Sequence, residues 1–363
     1  MSDGWINVGD AERIAADVLD RGVLGYFAGG AGDELTLREN VEAWQRWRLR
    51  PRVLVDVSEV STRIELLGDS LSMPILVAPA AFQRLLHAEG EVGMATAAAE
   101  AGTAMCLSTL ATTRPRDVAA AAPPGRRWFQ LYCFRDEAVT RALVDEAVES
   151  GFEAIVLTVD APPAGNRERD LRTGFRLPPD LGVPSLVAAV GEKKLTIEEA
   201  FDLMTRALTW SDLEDLASEA SVPVIVKGVL TAEDATLAVE HGAGGIVVSN
   251  HGGRQLDRSP ATADALAEIV DAVEGRLPVL VDGGIRRGVD VALALALGAD
   301  AVLVGRPVLW GLAAAGRSGS LRVLEILRAE LELALALCGA TSPAGLGRQH
   351  VRGAPATSVY SVS

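Results

Sequence analysis

Eight short apolar runs, set at a nearly constant interval through the middle of the chain, constrain its fold more than any other feature. They are residues 74–81, 104–109, 127–132, 154–160, 223–229, 245–250, 278–285 and 301–307. Each is of strand length, and most are continuously apolar, the pattern of strands buried on both faces. Successive runs start about 22–33 residues apart, one strand-and-helix unit each, except between the fourth and fifth, where residues 161–222 intervene. Alanine-rich stretches at 136–150, 231–241, 261–275 and 288–298 read as the intervening helices. Thr231 with Asp234 marks one start, and Gly242 and Gly298 mark ends.

Eight such units in series predict an α/β fold of the TIM (β/α)8 type. The rival, a doubly wound dinucleotide-binding sheet, lacks its fingerprint, because no strand leads into Gly-x-Gly-x-x-Gly. The whole chain, 1–363, reads as a single domain: a capping segment 1–73, a barrel 74–340, an insertion 161–222 and a C-terminal tail 341–363. The capping segment contains a helix-like stretch (10–28), a glycine turn (Gly29, Gly30, Gly32) and a Trp/Arg-rich stretch (44–52). Around Trp44 and Trp47 an interface patch and a buried core are equally open readings. Within the insertion, Thr196 and Glu199 form a capping box for a helix carrying Ile197, Phe201, Met204 and Leu208 on one face. Residues 181–191, apolar and poor in charge, read as a mobile lid.

Composition narrows the partners. With 49% hydrophobic but only 4% aromatic residues the core is aliphatic, which suits helices packed on parallel strands. A net charge of −15 argues against nucleic acid and against an anionic membrane, although Lys193 and Lys194 flank the apolar stretch 181–191. Three scattered cysteines, Cys106, Cys133 and Cys338, have no metal-type spacing and imply a reducing compartment, with buried thiols at the first two. No signal-peptide pattern opens the chain, and no apolar run approaches the ~20 residues of a spanning helix. A cytoplasmic protein is the expectation.

In a barrel the chemistry sits where strands end. The sixth run ends in Ser249-Asn250-His251 and continues through Gly252 and Gly253 to Arg254, a base and a permanent cation in a glycine-hinged loop. That pairing suits a small carboxylate carrying a removable proton. His251 could instead be a hydrogen-bonded structural residue, the reading that fits His87, His241 and His350 better. Lys227 interrupts the apolar fifth run; it either snorkels or pairs with a carboxylate, or it faces a cofactor or substrate anion. Asp160, closing the fourth run, could be a solvated strand-end carboxylate, but it is better placed to orient an imidazole. Gly283-Gly284 with Arg286, and Gly305 with Arg306, are phosphate-type turns after the seventh and eighth runs.

The motifs SNHGGRQLD (249–257), VDGGIRRGVD (281–290), VLVGRP (302–307), LTVD (157–160), KGV (227–229) and GEVGMA (90–95) resemble those of the FMN-dependent α-hydroxy-acid oxidase/dehydrogenase family. That family includes glycolate oxidase, lactate oxidase, mandelate dehydrogenase and a flavocytochrome flavin domain. The resemblance runs from about Tyr26 to about residue 340. It implies FMN as cofactor and oxidation of an L-2-hydroxy acid to the 2-oxo acid. Oxygen, giving peroxide, is the first-choice acceptor; a quinone- or carrier-linked dehydrogenase is the alternative. A lactate-monooxygenase outcome is disfavoured because Ala81 is not the glycine found there. A non-redox FMN isomerase and a silent flavin-binding scaffold are disfavoured because His251, Arg254 and Arg167 are all present.

By position, the resemblance implies that His251 takes the substrate proton, supported by Asp160, with Tyr132 on the hydroxyl. Arg254, Arg167 and Tyr26 would clamp the carboxylate. Lys227 would stabilise charge on the reduced flavin, and Gln130, Thr158, Ser108, Ala80 and Ala81 would hold its ring. Ser249 would contact the flavin and Asp282 the ribityl chain, with Gly284, Arg286, Gly305 and Arg306 on the phosphate. Leu110 replaces an aromatic residue of the glycolate-oxidase pattern, which implies a roomier pocket, and Asn166 replaces a common arginine. A homotetramer or higher oligomer is implied too.

Overall fold

A computed structural model describes residues 4–192 and 194–353. All eight runs are strands: Ile75–Val77 (β1), Ala104–Ser108 (β2), Arg126–Leu131 (β3), Ala154–Thr158 (β4), Val224–Val229 (β5), Gly245–Val248 (β6), Val279–Val281 (β7) and Ala301–Val304 (β8). They pair in parallel, each with its sequence neighbours, and β8 closes on β1. The expected helices follow at Glu137–Glu149, Ala232–Glu240, Thr262–Val273 and Gly288–Leu297. Thr231 accepts from the Asp234 amide, and Gly298 ends its helix in the left-handed conformation.

Strand alternation divides the side chains into an inner and an outer set. Leu76, Cys106, Trp128, Val156, Ile225, Val247, Leu280 and Leu303 point inward and form one apolar core. Small residues at Ala104, Ala154 and Ala301 make room for Trp128. The short hairpin of strands Ile64–Leu66 and Asp69–Leu71 adds Leu66 and Leu71 to the same core. It stoppers the barrel at the end where the strands begin.

The capping segment departs from expectation in one respect. Residues 10–28 form two helices, Val8–Val18 and Arg21–Ala28, rather than one. The Asp20 carboxylate accepts from the amides of Gly22 and Val23 and so starts a new helix there. Trp44 is core, 1% exposed, with its indole N–H on the Gly283 carbonyl. Trp47–Leu49 pairs antiparallel with Val351–Gly353, so the described part of the C-terminal tail is tied back to the capping segment.

The insertion holds four helices, Glu168–Thr173, Pro184–Val190, Ile197–Leu203 and Trp210–Glu219. The Thr196/Glu199 capping box is present, but its helix ends at Leu203, leaving Met204 and Leu208 beyond it. Pro184–Val190 packs on Glu137–Glu149 with Leu186 fully buried. The segment expected as a lid is therefore anchored to an outer helix of the barrel. Lys193 lies outside the described residues. No described helix is long and apolar enough to cross a membrane.

Candidate active site

One step up each strand from the inner core, two residues on, the inward position passes from apolar to polar. The sequence of that layer is Ala78, Ser108, Gln130, Thr158, Lys227, Ser249, Asp282 and Gly305. The six polar members are all at most 7% exposed. All but Ser249 line the central pocket at the upper end of the barrel. A buried polar layer costs free energy unless each group finds a partner. Here Gln130 Nε2, Thr158 Oγ1 and Asp282 Oδ1 have none within the protein. Gly305 fits the same pattern, since a Cβ there would meet no protein atom nearer than 3.8 Å. The layer is therefore complete only with a polar ligand lying across it, and the residues present fit a flavin.

Lys227 pairs with a carboxylate and also lines the central pocket. Its ammonium donates to Ser249 Oγ at 2.8 Å and lies 3.2 Å from Asp282 Oδ2. Burial pulls its pKa down, but Asp282 and Asp160 outweigh burial and hold it above the usual range, so the group stays charged.

His251 stands at the pocket wall with φ 58°, a left-handed backbone costing about 1–2 kcal/mol for a side-chain-bearing residue. Ser249 Oγ accepts its amide at 3.1 Å, and Asp160 Oδ1 lies 2.9 Å from Nδ1. Burial pushes the imidazole pKa down and Asp160 only partly restores it, because Lys227 and Arg167 also disfavour the cation. Asp160 is raised by burial but lowered further by His251 and Lys227, which leaves it below the ordinary carboxylate range. The pair is a neutral base backed by an anion, with Nε2 left for a substrate. Tyr132, pushed up to about 12 by burial and by Asp160, remains a neutral phenol.

Four guanidiniums surround this base. Arg167, Arg254, Arg286 and Arg306 line the pocket, and none takes part in an ion pair among the described residues. Arg254 sits over the Tyr26 ring at 4.9 Å and donates to the Tyr26 and Gly29 carbonyls. Burial, then neighbouring arginines, push Arg254 and Arg306 down. Unpaired buried cations of this kind are sites for anions. Arg306 has a second duty. Its Nε, Nη1 and Nη2 donate to Phe27, Gly252 and Gly29 at 2.9, 3.0 and 2.8 Å. It thereby staples the capping segment to the β6 loop while still lining the pocket.

Every residue expected at the site lies in or directly behind the pocket, with three differences of detail. Ser249, within the polar layer, and Asp160 do not line the pocket themselves but hold Lys227 and His251, which do. Gly284 is a glycine for a structural reason: at φ 79°, its Cβ would fall 1.8 Å from the Asn40 carbonyl oxygen. Leu110 lines the pocket, and Phe201, reaching in from the insertion, lines it too.

Sequence reading missed the supports. Asn40 and Asn250 exchange side-chain amide hydrogen bonds, both at 2.8 Å, across 210 residues. Gln255 donates to the carbonyls of Asp160 and Pro163 and accepts from the Gly165 amide, tying the insertion to the β6 loop. Asp257 accepts from the amides of Asp33 and Thr36 at the start of helix Leu35–Gln45, which has no side-chain cap of its own. Gln255 and Asp257 were visible within the SNHGGRQLD loop as polar side chains without a task. Nothing local in the sequence links Asn40 to Asn250.

Comparison with known proteins points the same way. The chain is 50% identical to an L-lactate oxidase of Nostoc sp. over 345 residues, 92% of this chain and 94% of that protein. It is 48% identical to glycolate oxidase 3 of Oryza sativa subsp. indica, over 95% of each. A crystal structure of mandelate oxidase with (S)-4-hydroxymandelic acid superposes with a TM-score of 0.90 at 44% identity, covering 96% of this chain and 98% of that one. Residues 15–353 match the family described as FMN-dependent dehydrogenase, and the chain belongs to that family.

Proposed function

We propose that this enzyme oxidises an L-2-hydroxy acid to the 2-oxo acid and passes the electrons to oxygen, yielding hydrogen peroxide. The observation that carries the proposal is a neutral His251 backed by Asp160 and flanked by the unpaired guanidiniums of Arg254 and Arg167, all facing the polar layer. Bound FMN supplies the two-electron acceptor that oxidation of a C–H bond requires. The protein supplies the rest. Arg254 and Arg167 take the substrate carboxylate and fix its orientation, a large part of the rate gain in such sites. Tyr132, as a neutral phenol, hydrogen-bonds the substrate hydroxyl. His251 accepts the substrate proton at Nε2, and Asp160 stabilises the resulting imidazolium. The Lys227 ammonium would stabilise negative charge on the cofactor when it is reduced. Arg286 and the Gly305 turn would hold its phosphate.

Oxygen as acceptor is supported by the named relatives, which are oxidases. Leu110 and Phe201 border the space for the substrate side chain, which supports an acid larger than glycolate. A cytoplasmic homotetramer belongs to the same reading. The exposed Val53 and Leu54 (81% and 104%) support self-association, which light scattering on the purified enzyme checks.

The deciding experiment is anaerobic mixing of the yellow enzyme with a panel of L- and D-2-hydroxy acids. L-acids are expected to bleach the flavin absorbance, and admitted air to restore it with one peroxide per turnover. A panel in which no acid bleaches the flavin sinks the proposal. Bleaching without reoxidation in air transfers the enzyme to the quinone- or carrier-linked class.

A further inference from the structure

A second cavity, of about 510 Å3, lies against the outer faces of β4 and β5 under the last part of the insertion. Most of its lining is apolar, including Leu157, Val226 and Val229 from the strands and Met204, Leu208 and Leu213 from the insertion. It exists because the chain departs from regular barrel geometry here. The insertion delays the helix after β4 until Trp210, and β5 carries a bulge between Lys227 and Val229. At the bulge Gly228 has φ 119°, and a Cβ on it would meet Asp160 Cβ at 2.7 Å. Tyr132 and Thr158 line both this cavity and the central pocket, so the two adjoin at these residues.

We infer that this cavity is the route by which dioxygen reaches the reduced cofactor while the upper mouth is occupied by substrate or product. A small apolar molecule such as dioxygen partitions into a mainly apolar cavity, here one that Arg206 and Asp234 also border. The inner end arrives at Thr158, whose unpartnered hydroxyl belongs to the cofactor-facing layer. There dioxygen takes two electrons from the reduced flavin and two protons, leaving oxidised flavin and hydrogen peroxide. The inference rests on the oxidase reading above.

Leu208 allows a test, being half-buried in a loop of the insertion and lining this cavity but not the central pocket. Leu208→Trp places an indole in the cavity and narrows it. Crystals of the wild-type holoenzyme under xenon pressure are expected to hold xenon there, and those of Leu208→Trp to hold less. In stopped flow, Leu208→Trp should be reduced by substrate anaerobically at the wild-type rate, while its second-order rate constant for oxygen falls about tenfold or more; single-turnover kinetics separates the two half-reactions. Leu208→Ala should reoxidise at least as fast as wild type. Absence of xenon from the wild-type cavity, or wild-type reoxidation in a Leu208→Trp enzyme whose crystals show the cavity narrowed and its xenon lost, overturns the inference. A wild-type enzyme that oxygen does not reoxidise refutes the oxidase reading itself, a result distinguishable from either of these.

Discussion

His251 Nδ1 and Asp160 Oδ1 stand 2.9 Å apart although they leave different strands, β6 and β4. Between those strands lies β5, whose Gly228 has no side chain to hold Asp160 away. Charge is what the pair contributes. Asp160→Asn keeps a side chain of the same shape but removes the anion behind the imidazolium. The anaerobic rate of flavin reduction should fall by roughly 10²–10⁴. His251→Ala should bind FMN and leave it almost unreduced.

The same pair sets the pH dependence. His251 acts as a base only when neutral, so kcat/KM should rise with pH and level off above a pKa lying below the ordinary imidazole range. Asp160 raises that pKa, because it favours the protonated ring. In Asp160→Asn the acid limb should therefore move to lower pH as the plateau drops. An acid limb that moves to higher pH contradicts this assignment.

Lys227 and Asp282 are a buried ion pair, 5% and 10% exposed at their side chains. Lys227→Met leaves the Asp282 carboxylate, and Ser249 with it, without a cation. Breaking such a pair from one side costs about 3–5 kcal/mol. Urea unfolding of the holoenzyme should show that loss, and Lys227→Met/Asp282→Leu should recover part of it. Neither variant should reduce its flavin normally.

Arg306 holds three carbonyls from two separate segments. Arg306→Lys cannot reproduce that planar fork. Hydrogen bonds to a charged donor are worth about 1.5–3 kcal/mol each, so losing one or two weakens FMN binding roughly tenfold or more. Limited proteolysis of the variant should cut first near Phe27–Gly32. Flavin titration gives the affinity.

Leu110 shapes the pocket beside Tyr132 and Phe201. Leu110→Trp should lower kcat/KM for aryl and long-chain 2-hydroxy acids by about 10–200-fold, the scale at which pocket size discriminates. Glycolate should be affected far less. Equal losses on all acids would show that Leu110 does not set specificity.

Much of this site was legible in the sequence because strands obey a period of two. Once β4 is placed, Val156 inward makes Thr158 inward, and the same step from Ile225 gives Lys227 and from Leu280 gives Asp282. What alternation cannot show is the reason for a residue. Gly284 reads as a backbone donor to a ligand, and the Asn40 carbonyl supplies a separate reason for glycine there by excluding a side chain. Residues 10–28 looked like one helix because apolar periodicity continues through Asp20, whose cap breaks it. The apolar stretch 181–191 suggested mobility, but its Leu186 is buried and its helix packs on Glu137–Glu149, far earlier in the chain, which local composition does not encode. Pairings such as Asn40 with Asn250 exist only in three dimensions.

The Leu66–Leu71 hairpin beneath the barrel has a practical consequence. It separates the molecule into a working end and a foundation, with the apolar inner core between them. A tether, cross-link or stabilising substitution placed on the foundation touches neither the polar layer nor the β6 loop. Immobilisation through that end should leave turnover intact, so the underside is where a biosensor electrode or a support is best attached.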